Sequence, residues 1–328
     1  MSNFLRILFT CGDVNGIGPE ISLKLFSLLL NKKTIHHLIF ICPNNVFNYY
    51  SELLSLKLNY KVIKNLEDSE ANVLNLIGMK NCKIQLGKPT SISGSVAFDS
   101  LMISIDLLKQ KKSSVVITAP VSKYAINLAG IKFIGQTELF ANEFKVRNYL
   151  MMFISSKIKA FLHTIHIPLK EVSNFIRFKP LSANIELIIR TLQNDFNINN
   201  PSIAVLGLNP HSGENGKIGN EEKIIKKAIY NYDNVFGPFA SDAFFGKHHY
   251  KNYDVIFGMY HDQVLIPFKM LNFDKGVNYT AGLPIVRTSP DHGTAFDIAG
   301  KNKASFTSLF YAFKYATQIS RSRLKNER

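Results

Sequence analysis

Tryptophan is absent from this 328-residue chain and cysteine occurs only three times. No apolar run approaches the roughly 20 residues that a bilayer-crossing helix needs. The longest, such as Leu25 to Leu30 and Val115 to Ile117, are short or broken by Ser or Lys, so no transmembrane helix and no membrane partner are expected. At the N-terminus, Phe4 to Cys11 is interrupted by Arg6 and runs straight into Gly12-Asp13, without the small-residue cleavage site of a secretory signal. A cytoplasmic protein is expected. Cys11, Cys42 and Cys82 are odd in number and lack Cys-x-x-Cys spacing, which excludes a disulfide framework and a thiolate zinc site and leaves buried thiols. Acidic residues are scarce, 24 Asp and Glu against 39 Lys and Arg, giving a net charge of +15. The lysines are scattered and not gathered into a basic stripe with interleaved aromatics, so a nucleic-acid partner is not expected. The excess charge instead favours capture of anionic metabolites.

What is present is a chain that is 46% hydrophobic and long enough to divide into two domains. Short β-branched and aromatic runs ending in Gly, Pro or Asn alternate with longer stretches of helical apolar spacing, the pattern of an α/β sheet. Strands are expected at Arg6 to Thr10, Leu38 to Cys42, Ser114 to Thr118, Tyr149 to Ile154, Lys159 to His163, Ser202 to Leu206 and Asp254 to Phe257. Helices are expected at Pro19 to Leu30, Ser93 to Lys109, Ser182 to Phe196 and Glu221 to Tyr230. The small-residue stretch Thr118 to Gln136 is the favoured crossing between domains. It gives a first lobe of residues 1–125 plus 295–328 and a second of residues 126–294.

The unusual segments fall after strands, where α/β folds place ligand sites. Gly12-Asp13-Val14-Asn15-Gly16-Ile17-Gly18-Pro19-Glu20 is a Gly-rich turn feeding a helix, whose free N–H groups suit an anion. Gly12, Asp13, Gly16 and Gly18 are therefore candidate cofactor-binding residues, although Ile21 stands where the third Gly of a dinucleotide fingerprint belongs. A simple tight turn explains the same glycines. His166, His211 and His261 each follow a strand and lie beside turn residues, the ligand type and number of an open catalytic metal site. His163, His248 and His249 lack that context and are read as structural or solvent-facing. Asp242 and Asp262 could orient imidazoles or bind metal themselves; being next to His261 does not make Asp262 its partner. Lys269, Asn278 and Arg287 lie in one stretch, and Arg and Lys together suit a small dianionic substrate.

These segments, with Thr118-Ala119-Pro120-Val121-Ser122-Lys123 and Gly135-Gln136-Thr137-Glu138, run in order along nearly the whole chain. Together they resemble the 4-hydroxythreonine-4-phosphate dehydrogenase family of pyridoxal phosphate synthesis. The resemblance implies an isocitrate/isopropylmalate-dehydrogenase-like fold of two α/β/α lobes with the active site in the cleft and at a homodimer interface. It implies a divalent metal (zinc, magnesium or cobalt) on His166, His211 and His261, one of them from the other subunit. It also implies NAD or NADP as cofactor and Gln136, Thr137, Lys269, Asn278 and Arg287 as substrate-contacting positions. The reaction implied is oxidation of a small phosphorylated hydroxy amino acid at C3, the metal polarising the hydroxyl as hydride leaves for the nicotinamide. The β-keto acid formed then loses carbon dioxide. Lys123, Asp242 and a metal-bound water are candidates for taking the hydroxyl proton, with Asp262 a further catalytic carboxylate.

Three departures from the family pattern stand out: Asp13-Val14-Asn15 for Asp-Pro-Ala, Val264 for Gly, and Gln136 for His. The last lies at a substrate position. Protonated histidine there would add a charge-assisted hydrogen bond that glutamine lacks, worth on the order of tenfold in affinity, so Gln136→His is expected to help at low pH unless Gln136 keeps the same hydrogen bond and the excess positive charge compensates. Two other functions remain compatible with the anion-binding residues. One is a paralogue acting on a phosphorylated sugar acid; the other is a phosphate acyltransferase of related fold, against which the three strand-end histidines argue.

Overall fold

A computed structural model of the chain describes residues 4–326. The fold is α/β, and it divides into two compact units, Met1–Lys145 with Leu283–Ser320 and Val146–Gly282 with Arg321–Arg328. The first unit holds β1 (Arg6–Thr10), β2 (His37–Pro43), β3 (Tyr60–Val62), β4 (Leu74–Met79) and β5 (Val115–Ile117). The second holds β6 (Leu150–Ile154), β7 (Lys159–Leu162), β8 (Ile203–Leu206), β9 (Val235–Phe239), β10 (Val255–Gly258) and β11 (Val277–Ala281). The chain then returns to the first unit with β12 (Val286–Pro290).

These boundaries differ from 125/126 and 294/295, and the reason is side-chain chemistry. Helix Gln136–Glu143 stays with the first unit because Gln136 and Thr137 bond to Arg287 of β12. The final turn of helix Thr307–Asn326 goes with the second because Arg323 is held by Asp195.

In the first unit the strands run β3-β4-β2-β1-β5-β12, every neighbouring pair parallel. Interior parallel strands are covered on both faces and read as continuous apolar runs, as in Leu38-Ile39-Phe40-Ile41, all fully buried. Phe26, on helix Gly18–Asn31, packs edge-on against Phe9 of β1 and Phe40 of β2, with centroids 4.9 and 5.2 Å apart. Helix Ser91–Lys109 is long and apolar enough to cross a bilayer by length and composition alone. Here its Val96, Ala97, Leu101, Ile105 and Leu108 are buried in the unit's core. Cys11 and Cys42 are buried too, and burial pushes the Cys42 thiol up, which makes it a poor nucleophile.

In the second unit the order is β11-β6-β7-β10-β8-β9. β6 is antiparallel to both neighbours, and β7, β10, β8 and β9 run parallel. Their C-terminal ends therefore open on one edge of the unit. Five strands escaped the sequence reading. β9 carries Gly237 and Pro238, which only an edge strand tolerates; β12 has Arg287 at its second position and is buried on both faces, so neither apolar continuity nor alternation marks it. β3, β4 and β11 likewise interrupt apolar residues with Lys, Asn or Gly.

Candidate active site

The Gly-rich turn follows the C-terminal end of β1, whose neighbours in the sheet are β2 and β5. Its backbone is closed against the unit's own loops. Asp13 N–H donates to the Pro120 carbonyl at 2.9 Å and Ile17 N–H to that of Thr294 at 3.0 Å. A Cβ on Gly12, whose φ is +67°, would collide with the Pro120 carbonyl oxygen, and one on Gly18 with that of Cys11; on Gly16 it would lie 2.8 Å from the Thr294 carbonyl oxygen. Asn15 is consumed internally, donating to the Lys88 carbonyl at 2.9 Å and accepting from Gln85 N–H at 2.7 Å. Burial pushes the Asp13 carboxyl up to about 6, against the lowering hydrogen bonds from Asn15 N–H and Ser93 Oγ. Contacts within the first unit thus leave no room for a Cβ at Gly12, Gly16 or Gly18.

A second cluster in this unit surrounds Arg287, 2% exposed. Its Nη2 donates to Thr118 Oγ1 at 2.9 Å and to Gln136 Oε1 at 3.0 Å, Nη1 donates to Thr137 Oγ1 at 3.1 Å, and the guanidinium lies 5.8 Å from the Phe140 ring centroid. Burial lowers its pKa to about 10, with Glu138 acting in the opposite sense, so the cation persists at neutral pH. Thr118, at the end of β5, was not singled out from the sequence; only strand register brings it to Arg287. Gln136 is engaged at both ends, since its Nε2 donates to the Ala119 carbonyl at 3.2 Å. Arg287 can only donate and a carbonyl can only accept, so the amide orientation is fixed by its partners.

That geometry reverses the expectation for Gln136→His. A neutral imidazole can accept from Arg287 and donate to Ala119, whereas an imidazolium can accept nothing and sits beside a buried cation. The variant is expected to behave like the parent at pH 8 and, because the Arg287 cation holds a neighbouring imidazole below its ordinary value of about 6.5, to lose substrate affinity, on the order of tenfold, only at a pH well below that value. KM measured at both pH values checks this; a gain at low pH would contradict it.

Lys123 opens helix Lys123–Leu128 in the first unit, exposed beside the Ser122 cap, whose Oγ accepts from Ala125 N–H at 3.1 Å.

In the second unit the three histidines follow β7, β8 and β10, which are neighbours in the order β7-β10-β8. His166 and His211 are exposed and His261 is partly so. His261 Nδ1 lies 2.7 Å from Asp262 Oδ1, so adjacency in sequence here does coincide with contact. The carboxylate favours a proton on Nδ1 and leaves Nε2 as the available lone pair. A cavity of about 210 Å³ joins Tyr260, His261 and Asp262 to Thr164, Ile165, Ile167, Leu169 and Val172 of the His166 segment. Among the described residues of one chain, however, no three His, Cys, Asp or Glu side chains gather closely enough to hold a metal. His163 is structural as expected. Its Nε2 meets the Phe175 carbonyl at 3.0 Å and its Nδ1 the Asn184 amide at 3.0 Å, and burial holds its pKa down.

The His211 segment holds five consecutive residues in the left-handed region. His211, Ser212, Gly213, Glu214 and Asn215 all have positive φ, between 41° and 75°, a conformation that costs a non-glycine residue about 1–2 kcal/mol. Surrounding bonds impose it: Ser212 Oγ donates to the Pro238 carbonyl at 2.9 Å, and buried Glu222 accepts from Asn209 N–H at 2.7 Å and Asn209 Nδ2 at 3.0 Å. Glu221 accepts from Asn209 Nδ2 at 2.8 Å and from Ser173 Oγ at 2.5 Å, and the Ser173 bond chiefly holds its pKa down. Strain held in place by its surroundings concentrates at functional sites.

Asp242 sits in the first turn of helix Ser241–Gly246, exposed. Lys269 is exposed on helix His261–Asn272. Asn278, on β11, has a buried Oδ1 with no hydrogen-bond partner among the described residues.

A family model described as pyridoxal phosphate biosynthetic protein PdxA matches residues 34–316. The chain belongs to the PdxA family. Relatives named 4-hydroxythreonine-4-phosphate dehydrogenase include one from Prosthecochloris aestuarii, 41% identical over 96% of this chain and 97% of its own length. Another, from Aquifex aeolicus, is 38% identical over 94% and 96%. The crystal structure of 4-hydroxythreonine-4-phosphate dehydrogenase from Klebsiella pneumoniae superposes with a TM-score of 0.83 at 31% identity, covering 96% of this chain and 99% of that one. The match to the first two of these PdxA relatives spans 97% and 96% of their own lengths.

Proposed function

We propose that this chain is a 4-hydroxythreonine-4-phosphate dehydrogenase that oxidises 4-phosphooxy-L-threonine with NAD or NADP and a divalent metal. The observation that carries the reading is the placement of His166, His211 and His261 after three adjacent parallel strands, in a chain whose full-length relatives carry that enzyme's name. Neutral imidazoles suit zinc, and also cobalt or magnesium less strongly. His261 with its Nδ1 engaged by Asp262 fits the role of a ligand through Nε2. Among the described residues of one chain no three such ligands gather, and the reading takes one imidazole from a second copy. A homodimer is further supported by Ile266, Met270 and Phe273, spaced i, i+4, i+7 along one helix and its end and 59%, 82% and 78% exposed.

Bound at these histidines, the metal would act as a Lewis acid toward the substrate hydroxyl. In the first unit Arg287, charged and buried and held in place by Thr137 and Gln136, would balance an anionic group of the substrate, and Lys269 of the second unit is a further candidate for that role. Asn278 Oδ1, buried without a donor, would gain one from the substrate; an unsatisfied buried acceptor otherwise costs about 1–3 kcal/mol. In the oxidation the nicotinamide would take the C3 hydrogen as hydride, and the hydroxyl proton would pass to a base, for which exposed Asp242, Lys123 and a metal-bound water are the candidates. The product, 2-amino-3-oxo-4-phosphooxybutanoate, releases carbon dioxide to give 3-amino-2-oxopropyl phosphate.

The test is reduced-nicotinamide formation by purified protein with 4-phosphooxy-L-threonine, with phosphorylated threonate in parallel, each with NAD and NADP. Metal-dependent turnover preferring the amino acid is expected. Preference for the sugar acid would reassign the substrate, and phosphate-dependent acyl transfer without metal would reassign the reaction.

A further inference from the structure

One buried side chain links the segments that follow four of the second unit's strands. Gln263 lies two residues beyond His261, in the first turn of helix His261–Asn272, and is 7% exposed. Its Oε1 accepts from Met259 N–H at 2.6 Å, just after β10. Its Nε2 donates to the Gly207 carbonyl at 2.6 Å, just after β8, and to Ser241 Oγ at 2.8 Å, after β9. The network continues to the segment after β7, because the Met259 carbonyl accepts from Thr164 Oγ1 at 2.7 Å and Thr164 N–H at 3.2 Å. Thr164 leads into His166, Gly207 into His211, Ser241 into Asp242, and Met259 into His261. A Cβ on Gly258 would collide with Val264 Cγ2 and would also lie 3.2 Å from Gln263 Oε1.

The chemistry admits little substitution. A neutral amide offers one carbonyl and two N–H bonds, and all three are used. Glutamate has nothing to donate to the Gly207 carbonyl, lysine and arginine have nothing to offer Met259 N–H, and asparagine is one methylene too short.

We infer that Gln263 is the positioning residue that sets the histidine-bearing segments of its own subunit relative to one another, so that the metal affinity of the sites those histidines serve depends on this amide. The inference rests on the metal reading above. Outer residues that orient metal ligands typically contribute 10–100-fold in affinity, and Gln263 is expected to do so without touching the metal.

Full-length protein is stripped of metal, and zinc affinity is measured by competition with a chromophoric chelator for the parent, Gln263→Leu, Gln263→Glu, Ser241→Ala and His261→Ala. Far-UV circular dichroism and melting of the metal-free proteins are recorded alongside. Gln263→Leu and Gln263→Glu are expected to weaken zinc binding about 10–100-fold while remaining folded, and Ser241→Ala, which removes one bond of three, to weaken it less. A purely structural role would lower the melting temperature and leave the affinity of the folded protein unchanged, which overturns the proposal. Should Gln263→Leu fail to fold, unchanged affinity in both Gln263→Glu and Ser241→Ala overturns it equally. Parent protein that binds no zinc, or whose zinc binding survives His261→Ala, sinks the metal reading and this inference with it; an intact His261-dependent site indifferent to Gln263 sinks the inference alone.

Discussion

His166→Ala, His211→Ala and His261→Ala are each expected to lose more than about 100-fold in kcat/KM, since loss of an outer partner of a metal ligand alone costs 10–100-fold. That corresponds to more than about 2.7 kcal/mol of transition-state stabilisation. The fold should survive. None of the three imidazoles is buried in the core, and substitutions at such positions change stability by about 0.5 kcal/mol or less. Metal content and turnover in chelator-treated buffer, with melting curves as control, make the measurement. Near-parental turnover in all three variants would remove the metal assignment. Mixing His261→Ala chains with His166→Ala chains extends it to assembly: if these ligands come from opposite subunits, the mixed dimer regains one intact site and partial activity. No recovery despite demonstrated mixed dimers would place both ligands on one subunit.

Asp195→Ala is expected to destabilise the second unit strongly. Asp195, 3% exposed near the end of helix Phe178–Phe196, accepts from Arg323 Nε at 2.6 Å and Nη2 at 3.1 Å and from the hydroxyl of fully buried Tyr279. Arg323 Nη2 also donates to that hydroxyl at 2.7 Å. Burial works to lower the Arg323 pKa, but Tyr279 and Asp195 override it and hold it above its ordinary value. Burial pushes the Tyr279 phenol up. Removing the carboxylate strands a largely buried cation, which costs about 3–5 kcal/mol, or roughly 6–20 °C in melting temperature. Arg323→Met added to Asp195→Ala should recover part of the loss, because the unpaired charge goes with it. Thermal unfolding of both variants is the check, and a change below about 1 kcal/mol, as for an exposed pair, would contradict the buried-network account.

The sequence by itself determined whatever depends on short stretches of chain. The run Arg6 to Thr10 is strand because its apolar residues are contiguous and a turn follows, and Gly12 is glycine because its backbone has positive φ. The histidines could be placed after strands because strand and turn are both local patterns. The tertiary structure alone decided which groups meet. Arg287 reaches Thr118 across 169 residues and Gln136 across 151, Gln263 reaches Gly207 across 56, and Asp195 reaches Arg323 across 128. Those pairings follow from strand order and register, which no local period encodes. A glutamine offers the same donors and acceptor wherever it stands; burial and partners made Gln136 a support for Arg287 and Gln263 a junction of four segments. The glycines at 16 and 18 show the converse, a pattern legible in the chain whose cause, contact with the carbonyls of Thr294 and Cys11, lies in the packing.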